Sequence, residues 1–139
     1  MKRKYNVTKL RHNLGRYIVP SDCKATKAID IGCNNGSFIE KYKGFFSEIH
    51  AFEPNVYLYK LLEKKYKSYN NIFIHNKAFG KVSGNKVTLC MFDGNDEDGS
   101  FAIHRDYLSQ WNKANSICEV ETISLEDILT LTGPVGYVK

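Results

Sequence analysis

Apolar and polar positions alternate with two different periods along this chain, and the change between them falls near residue 76. Ala28 to Gly32 is a short apolar run broken only by Asp30 and reads as a first strand. Ser37 to about Phe46 places Phe38, Ile39, Tyr42, Phe45 and Phe46 on or near one helical face. Ile49 to Glu53 is a second strand. Pro54 suits a helix start just after it. The stretch Asn55 to Tyr69 then repeats Val56, Tyr57, Leu58, Leu61, Leu62 and Tyr66 at helical spacing, with basic residues near its end, as the helix dipole prefers. Asn70-Asn71 is a turn, and Ile72 to His75 is a third strand. This β-α-β-α-β order with short connections predicts a parallel sheet with helices packed on it.

Beyond residue 76 the pattern becomes β-rich. Phe79 to Asn85 is dense in turn formers, and Lys86 to Phe92 alternates like an exposed strand. Asp93 to Ser100 is a very polar loop, read as a substrate lid or a solvated loop. A short helix is expected through Tyr107, Leu108 and Trp111, and a strand over Ile117 to Thr122. Ser124-Leu125-Glu126-Asp127 is a capped helix start, with the acid three residues after the serine. Gly133-Pro134 breaks that helix, and Val135 to Lys139 opens another buried strand. Before the first strand, Tyr5, Val7, Leu10, Leu14, Tyr17 and Ile18 mark a lead-in helix ending near Pro20.

The chain has 139 residues, of which 42% are hydrophobic, enough for one domain: a lead-in over 1–24 and a core over 25–139. No run approaches the ~18 apolar residues of a membrane span, so no membrane partner is expected. The basic start Met1-Lys2-Arg3-Lys4 has no apolar signal core after it, which predicts a cytoplasmic protein. Cys23, Cys33, Cys90 and Cys118 form no CxxC pair, and the four histidines have no ligand spacing, so no metal site is expected. The acidic loop 93–98 lacks the spacing of an EF-hand. The net charge of +5 could mark a nucleic-acid surface. Its lysines are scattered, however, and its arginines are only Arg3, Arg11, Arg16 and Arg105. A solvated basic face is the better reading, and nucleic acid is not an expected partner.

The candidate chemistry lies at the end of the first strand. Gly32 and Gly36 bracket a sharp strand-to-helix turn, where glycine lets backbone approach a ligand and the helix start offers free N–H groups. Glu53 ends the neighbouring strand about 20 residues on, where a carboxylate can accept both hydroxyl protons of a ribose. Loop and acid together predict an adenosine-containing cofactor. Each has a plainer reading as well: a structural turn, and an exposed strand-end charge. A dinucleotide fingerprint starting at Gly32 would need glycines where Asn34 and Ser37 stand, so NAD and FAD are disfavoured. No Walker loop is present.

The remaining pattern, Asp30-Ile31-Gly32-Cys33-Asn34-Asn35-Gly36 followed by Ala51-Phe52-Glu53-Pro54, resembles the first two motifs of the FkbM-type family of S-adenosylmethionine-dependent methyltransferases. Asn76 to Gly80, Gly99-Ser100, Thr122 to Asp127 and Val135 to Lys139 resemble its later segments in order. The resemblance implies an α/β fold: a partial, three-layer, Rossmann-like methyltransferase core with strand order 3-2-1-4 and a β-rich insertion. It implies S-adenosylmethionine as cofactor and O-methylation of a hydroxyl on a glycan or small natural product. The cofactor-binding set it implies is Asp30, Gly32, Cys33, Asn34, Gly36, Glu53, Pro54, Asn76, Lys77 and Ala78. Within it, Asp30 orders the loop and the cofactor's amino-acid end, and Asn34 lines the methionine portion. Glu53 takes the ribose, and Asn76 to Ala78 lie near adenine. Ser100 and His104 are candidates on the acceptor side, and no catalytic residue is assigned. The family pattern continues past the start of the fourth core strand, where this chain stops. Two expectations follow: a homo-oligomer through an exposed sheet edge, and the alternative of a catalytically incomplete domain that binds cofactor or a partner.

Overall fold

A computed structural model describes residues 19–92 and 114–139. The expected lead-in helix, polar loop and short helix through Trp111 lie outside those residues. The described chain runs from a 3-10 turn (Ser21–Cys23) into β1 (Lys27–Ile31), α1 (Ser37–Tyr42), β2 (Glu48–Phe52), α2 (Val56–Tyr66) and β3 (Ile72–His75). It continues through β4 (Ala78–Phe79), β5 (Lys86–Phe92), β6 (Ala114–Ile123), α3 (Leu125–Thr132) and β7 (Tyr137–Val138). Among the described residues there are two sheets. One is parallel, ordered β3-β2-β1-β7. The other is ordered β4-β6-β5, with β6 parallel to β4 and antiparallel to β5. The first sheet has the 3-2-1-4 order expected from the sequence, with β7 as its fourth strand, and the second is the β-rich insertion.

Alternation along the parallel strands sorts their side chains into two cores, which makes three layers. Ala28, Ile49, Ala51 and Ile72 face α1 and α2, where they meet Phe38, Ile39, Tyr42, Leu62 and Tyr66. Ile29 and Phe52 face the other way, onto Ile128 of α3. Local chemistry sets the helix starts. The Asn55 side chain accepts the Tyr57 N–H at 2.9 Å, and Ser124 accepts the Asp127 N–H at 3.2 Å. Gly133, at φ 71°, ends α3 as the sequence indicates.

Two elements are shorter than the sequence reading: α2 ends at Tyr66 instead of Tyr69, and β7 covers only Tyr137–Val138 of the run Val135 to Lys139. Three more differ because a tertiary contact outweighs local pattern. The helix α1 stops at Tyr42 instead of Phe46. The Phe45 carbonyl there is taken by the Ala25 N–H at 2.9 Å, which draws the chain toward β1 while Phe46 stays buried. The strand β6 begins at Ala114 instead of Ile117, because β5 offers it a ladder as far as Phe92. Phe79, expected at the start of a turn, pairs with Ile123, and Ala78 before it pairs with Thr122.

On the α3 side of the sheet, an aromatic and imidazole ladder joins β2 to β3. His50 stacks on Phe73 (4.7 Å) and on His75 (5.4 Å), and Phe52 stacks on His75 (4.6 Å). His50 Nδ1 lies 3.2 Å from His75 Nε2, and His50 Nε2 lies 3.3 Å from Glu48, itself bridged to Lys27 at 2.9 Å. Burial lowers the pKa of both histidines, that of His75 to about 4, while Glu48 partly opposes the shift at His50. The folded protein therefore favours neutral imidazoles, whereas the unfolded chain takes up protons below about pH 6.5. This contribution to stability is full above that pH and is lost as pH falls toward 4. Urea midpoints measured across that window are expected to fall with pH, and His75→Phe, which keeps a stacked ring, is expected to flatten the slope.

Candidate functional site

The first strand ends at Ile31, and the chain reverses through three left-handed residues, Gly32 (φ 69°), Asn34 (φ 50°) and Gly36 (φ 77°). Two are glycines and the third is asparagine, the residue types that tolerate this region. The two glycines do different work. A Cβ on Gly36 would sit 2.7 Å from Leu62 Cδ2 and 3.5 Å from the Tyr66 ring, so this glycine lets the loop close onto α2. A Cβ on Gly32 would meet nothing within 4 Å, so this glycine fronts open space. Gly32, Asn34 and Asn35 are exposed, while Cys33 turns inward and is 2% exposed.

Backbone bonds stitch the tips of the three parallel strands together. The N–H groups of Gly32 and Cys33 both donate to the Phe52 carbonyl, at 2.9 and 3.1 Å. The Glu53 N–H donates to the His75 carbonyl at 2.9 Å. The Asn76 side-chain amide donates to the carbonyls of Glu53 (2.8 Å) and Pro54 (3.1 Å).

Two carboxylates are buried at these tips. Glu53 is 5% exposed; its Oε2 accepts the Asn34 N–H at 2.7 Å and its Oε1 accepts the Asn55 N–H at 2.8 Å. Burial pushes its pKa up, and the two N–H donors pull it back. Asp30 is fully buried, and its Oδ1 accepts from Lys139 Nζ at 2.6 Å. Its Oδ2 is buried with no partner. Burial raises the Asp30 pKa against the opposing pull of Lys139. The Lys139 ammonium also lies 3.4 Å from the Gly32 carbonyl and 5.9 Å from the centre of the Phe38 ring. Burial, reinforced by both carboxylates, keeps the Cys33 thiol protonated far above its ordinary range.

Asp30, Gly32, Cys33, Asn34, Glu53, Pro54 and Asn76 thus form one connected cluster, with Gly36 closing the loop behind it. Lys77 turns away to pair with Glu121 at 2.7 Å, and Ala78 is buried in β4. Ser100 and His104 lie outside the described residues. Two features escape the sequence reading. Lys139 belongs to the cluster, and its only sequence signal is a lysine after the apolar pair of β7, level with Asp30. A cleft of about 500 Å³ opens between Ala78, Phe79, Val82, Val87 and Thr122. Among the described residues, no group of three or more His, Cys, Asp or Glu side chains is placed to hold a metal ion. No described helix is long and apolar enough to cross a membrane.

Replacing Glu53 with Gln keeps the shape but puts an amide group where an acceptor is needed for one of two N–H groups. A loss of about 1–3 kcal/mol in urea unfolding is expected. Gly32→Ala is expected to cost about 1–2 kcal/mol from its left-handed backbone alone. Gly36→Ala meets the same strain and a crowded Leu62 as well, so it is expected to cost more.

No family model matches the chain, and no curated protein matches it. Among solved structures, it is similar to the methyltransferase FkbM from Methylobacillus flagellatus KT, at 23% sequence identity and a TM-score of 0.38. That match covers 45% of this chain and 19% of the other, so this chain spans only a small part of that protein's length.

Proposed function

We propose that the carboxyl ends of β1, β2 and β3 form a binding site for S-adenosylmethionine, and that the chain belongs to a methyltransferase acting on a hydroxyl of a glycan or small natural product. The observation that carries this reading is the position of Glu53. It lies at the tip of β2, pinned by the backbone of the β1 loop on one oxygen and the start of α2 on the other. In open parallel sheets, ligands bind outside the carboxyl ends of strands where the strand order reverses, and β1 is that point here.

The residues fit the cofactor. Each Glu53 oxygen accepts one N–H and retains capacity for a second donor. Two vicinal ribose hydroxyls are donors of that number and spacing. Gly32 leaves the space beside the loop open. When bound, the cofactor supplies a methyl group already activated on a sulfonium. The work left to the chain is orientation, which in well-aligned reactions contributes up to about 7–11 kcal/mol. The acceptor class rests on the sequence resemblance alone.

A second reading, a domain that binds without turnover, is favoured by one observation. Asp30 is paired with Lys139 and Glu53 with backbone, so the cluster satisfies most of its own charge without a ligand. Calorimetric titration with S-adenosylhomocysteine tests the site itself. Micromolar binding weakened by both Glu53→Ala and Gly32→Val is expected, and no binding by the folded protein would sink the proposal. Tritium transfer from labelled cofactor to a hydroxyl acceptor separates the two readings.

A further inference from the structure

We infer that β3 is a self-association edge, through which two copies of this chain join their parallel sheets into one continuous sheet across a two-fold axis. This goes beyond the proposed cofactor site and does not depend on it. Among the described residues, β3 ends the parallel sheet and nothing pairs with its outer side. Soluble proteins usually guard such an edge with charge, proline or a bulge. The strand Ile72-Phe73-Ile74-His75 has no proline, lysine or acid, and it pairs with β2 in unbroken register. Phe73 is 39% exposed on one face, and Tyr69 beside it is 38% exposed.

The hydrogen-bonding pattern fits a second copy as the occupant. The carbonyls of Asn71 and His75 point inward, accepting from Ile49 and Glu53 of the β2 segment. By strand alternation Phe73 also bonds inward, so the N–H and C=O groups of Ile72 and Ile74 face out. An antiparallel copy centred on Phe73 sets Ile72 opposite Ile74 of the second copy, and Ile74 opposite its Ile72. Both pairs are then of the hydrogen-bonded kind, and all outward groups of both strands are satisfied by four bonds. The two Phe73 residues form the central non-hydrogen-bonded pair, with Cα atoms about 4.5 Å apart, the closest cross-strand spacing for side chains. The edge is therefore complementary to itself, as a two-fold interface requires.

The flanking surface has room for this partner. A groove of about 260 Å³ runs along β3 beside the last turn of α2, lined by Tyr66, Lys67, Tyr69, Ile72 and Ile74. It can take the isoleucine side chains that the second strand would place on that face. The strand itself carries no carboxylate or ammonium group, so the pairing sets no like charges directly opposite each other despite a net charge of +5.

Sedimentation velocity over a series of protein concentrations tests the inference. The expected result is a monomer–dimer equilibrium that Ile74→Pro weakens by roughly tenfold or more, because proline removes an outward N–H from each copy. The inward bonds to β2 stay intact, so circular dichroism is expected to be unchanged. A wild-type chain that stays monomeric at high micromolar concentration overturns the inference, as does a dimer indifferent to folded Ile74→Pro. If Ile74→Pro does not fold, Phe73→Cys decides the matter. Mild oxidation should give a 73–73 disulfide identifiable by mass spectrometry, and crosslinks through the native cysteines alone overturn the inference. Slow amide exchange at Ile72 and Ile74 in a monomer would show that another segment of the same chain covers the edge, which also overturns it.

Discussion

The pairing of β1 with a parallel neighbour on each side puts Asp30 out of water, and much of the candidate site follows from that. A carboxylate with no exposed surface is costly unless its charge is answered. The answer comes from Lys139, at the end of the strand that closes β1's other side. Removing one member of such a pair costs far more than the pair gains, because the other is left buried and uncompensated. The short β7 ladder is therefore held by more than its own few backbone bonds. Glu53, one strand over, meets the same problem by a different route, with two N–H groups of its own chain in place of a cation. Those donors belong to the β1 loop and the start of α2, so the same two bonds that make Glu53 tolerable also fix the loop.

The elements most legible in the sequence are those in which local chemistry and tertiary demand agree. The loop from Asp30 to Gly36 shows its left-handed positions through glycine and asparagine. Ser124 announces its helix because a side chain at that spot satisfies a backbone donor whatever the helix packs on, whereas Asn55 caps α2 where only Pro54 marks the start in the sequence. The first half of β6 was illegible for the opposite reason: Ala114 to Ser116 have little strand preference, and pairing with β5 decides their state. The partnership of Lys139 with Asp30, 109 residues apart in the chain, leaves no periodic trace. Nor does the His50–His75 contact, because two histidines on separate strands become neighbours only once the β2–β3 register is known.

The second sheet is tied to the first through α3. Ser83, in the turn between β4 and β5, accepts the Ser124 N–H at 2.8 Å and donates to the Asp127 carboxylate. It thus joins the cap that begins α3. Thr122 is the other tie: its hydroxyl donates to the Val82 carbonyl at 2.6 Å and accepts the Asn85 N–H at 3.1 Å. The turn that reads as irregular from composition is therefore held at several points. Its fixed shape forms one wall of the cleft between Ala78 and Val87. The same α3 presents Ile128 to Ile29 and Phe52, so the position of that wall and the packing of β1 and β2 are linked through one short helix.

That Glu53 has a structural task bears on the binding role proposed for it. A carboxylate hanging free at a strand tip would keep a full hydration shell and rotamer freedom, and a ligand would have to displace both. Glu53 has already lost its water and its freedom on folding, since burial and two backbone donors fix its plane. The cost of orienting it is met by the fold, and in the proposed site a ligand with paired donors would need only to complete the remaining acceptor positions. Asp30 differs: one of its oxygens is answered by Lys139 and the other is sealed inside without a partner, so its task in this structure is to hold β7 against β1. What holds the tips of β1 and β2 together is then also what fixes the plane of the Glu53 carboxylate.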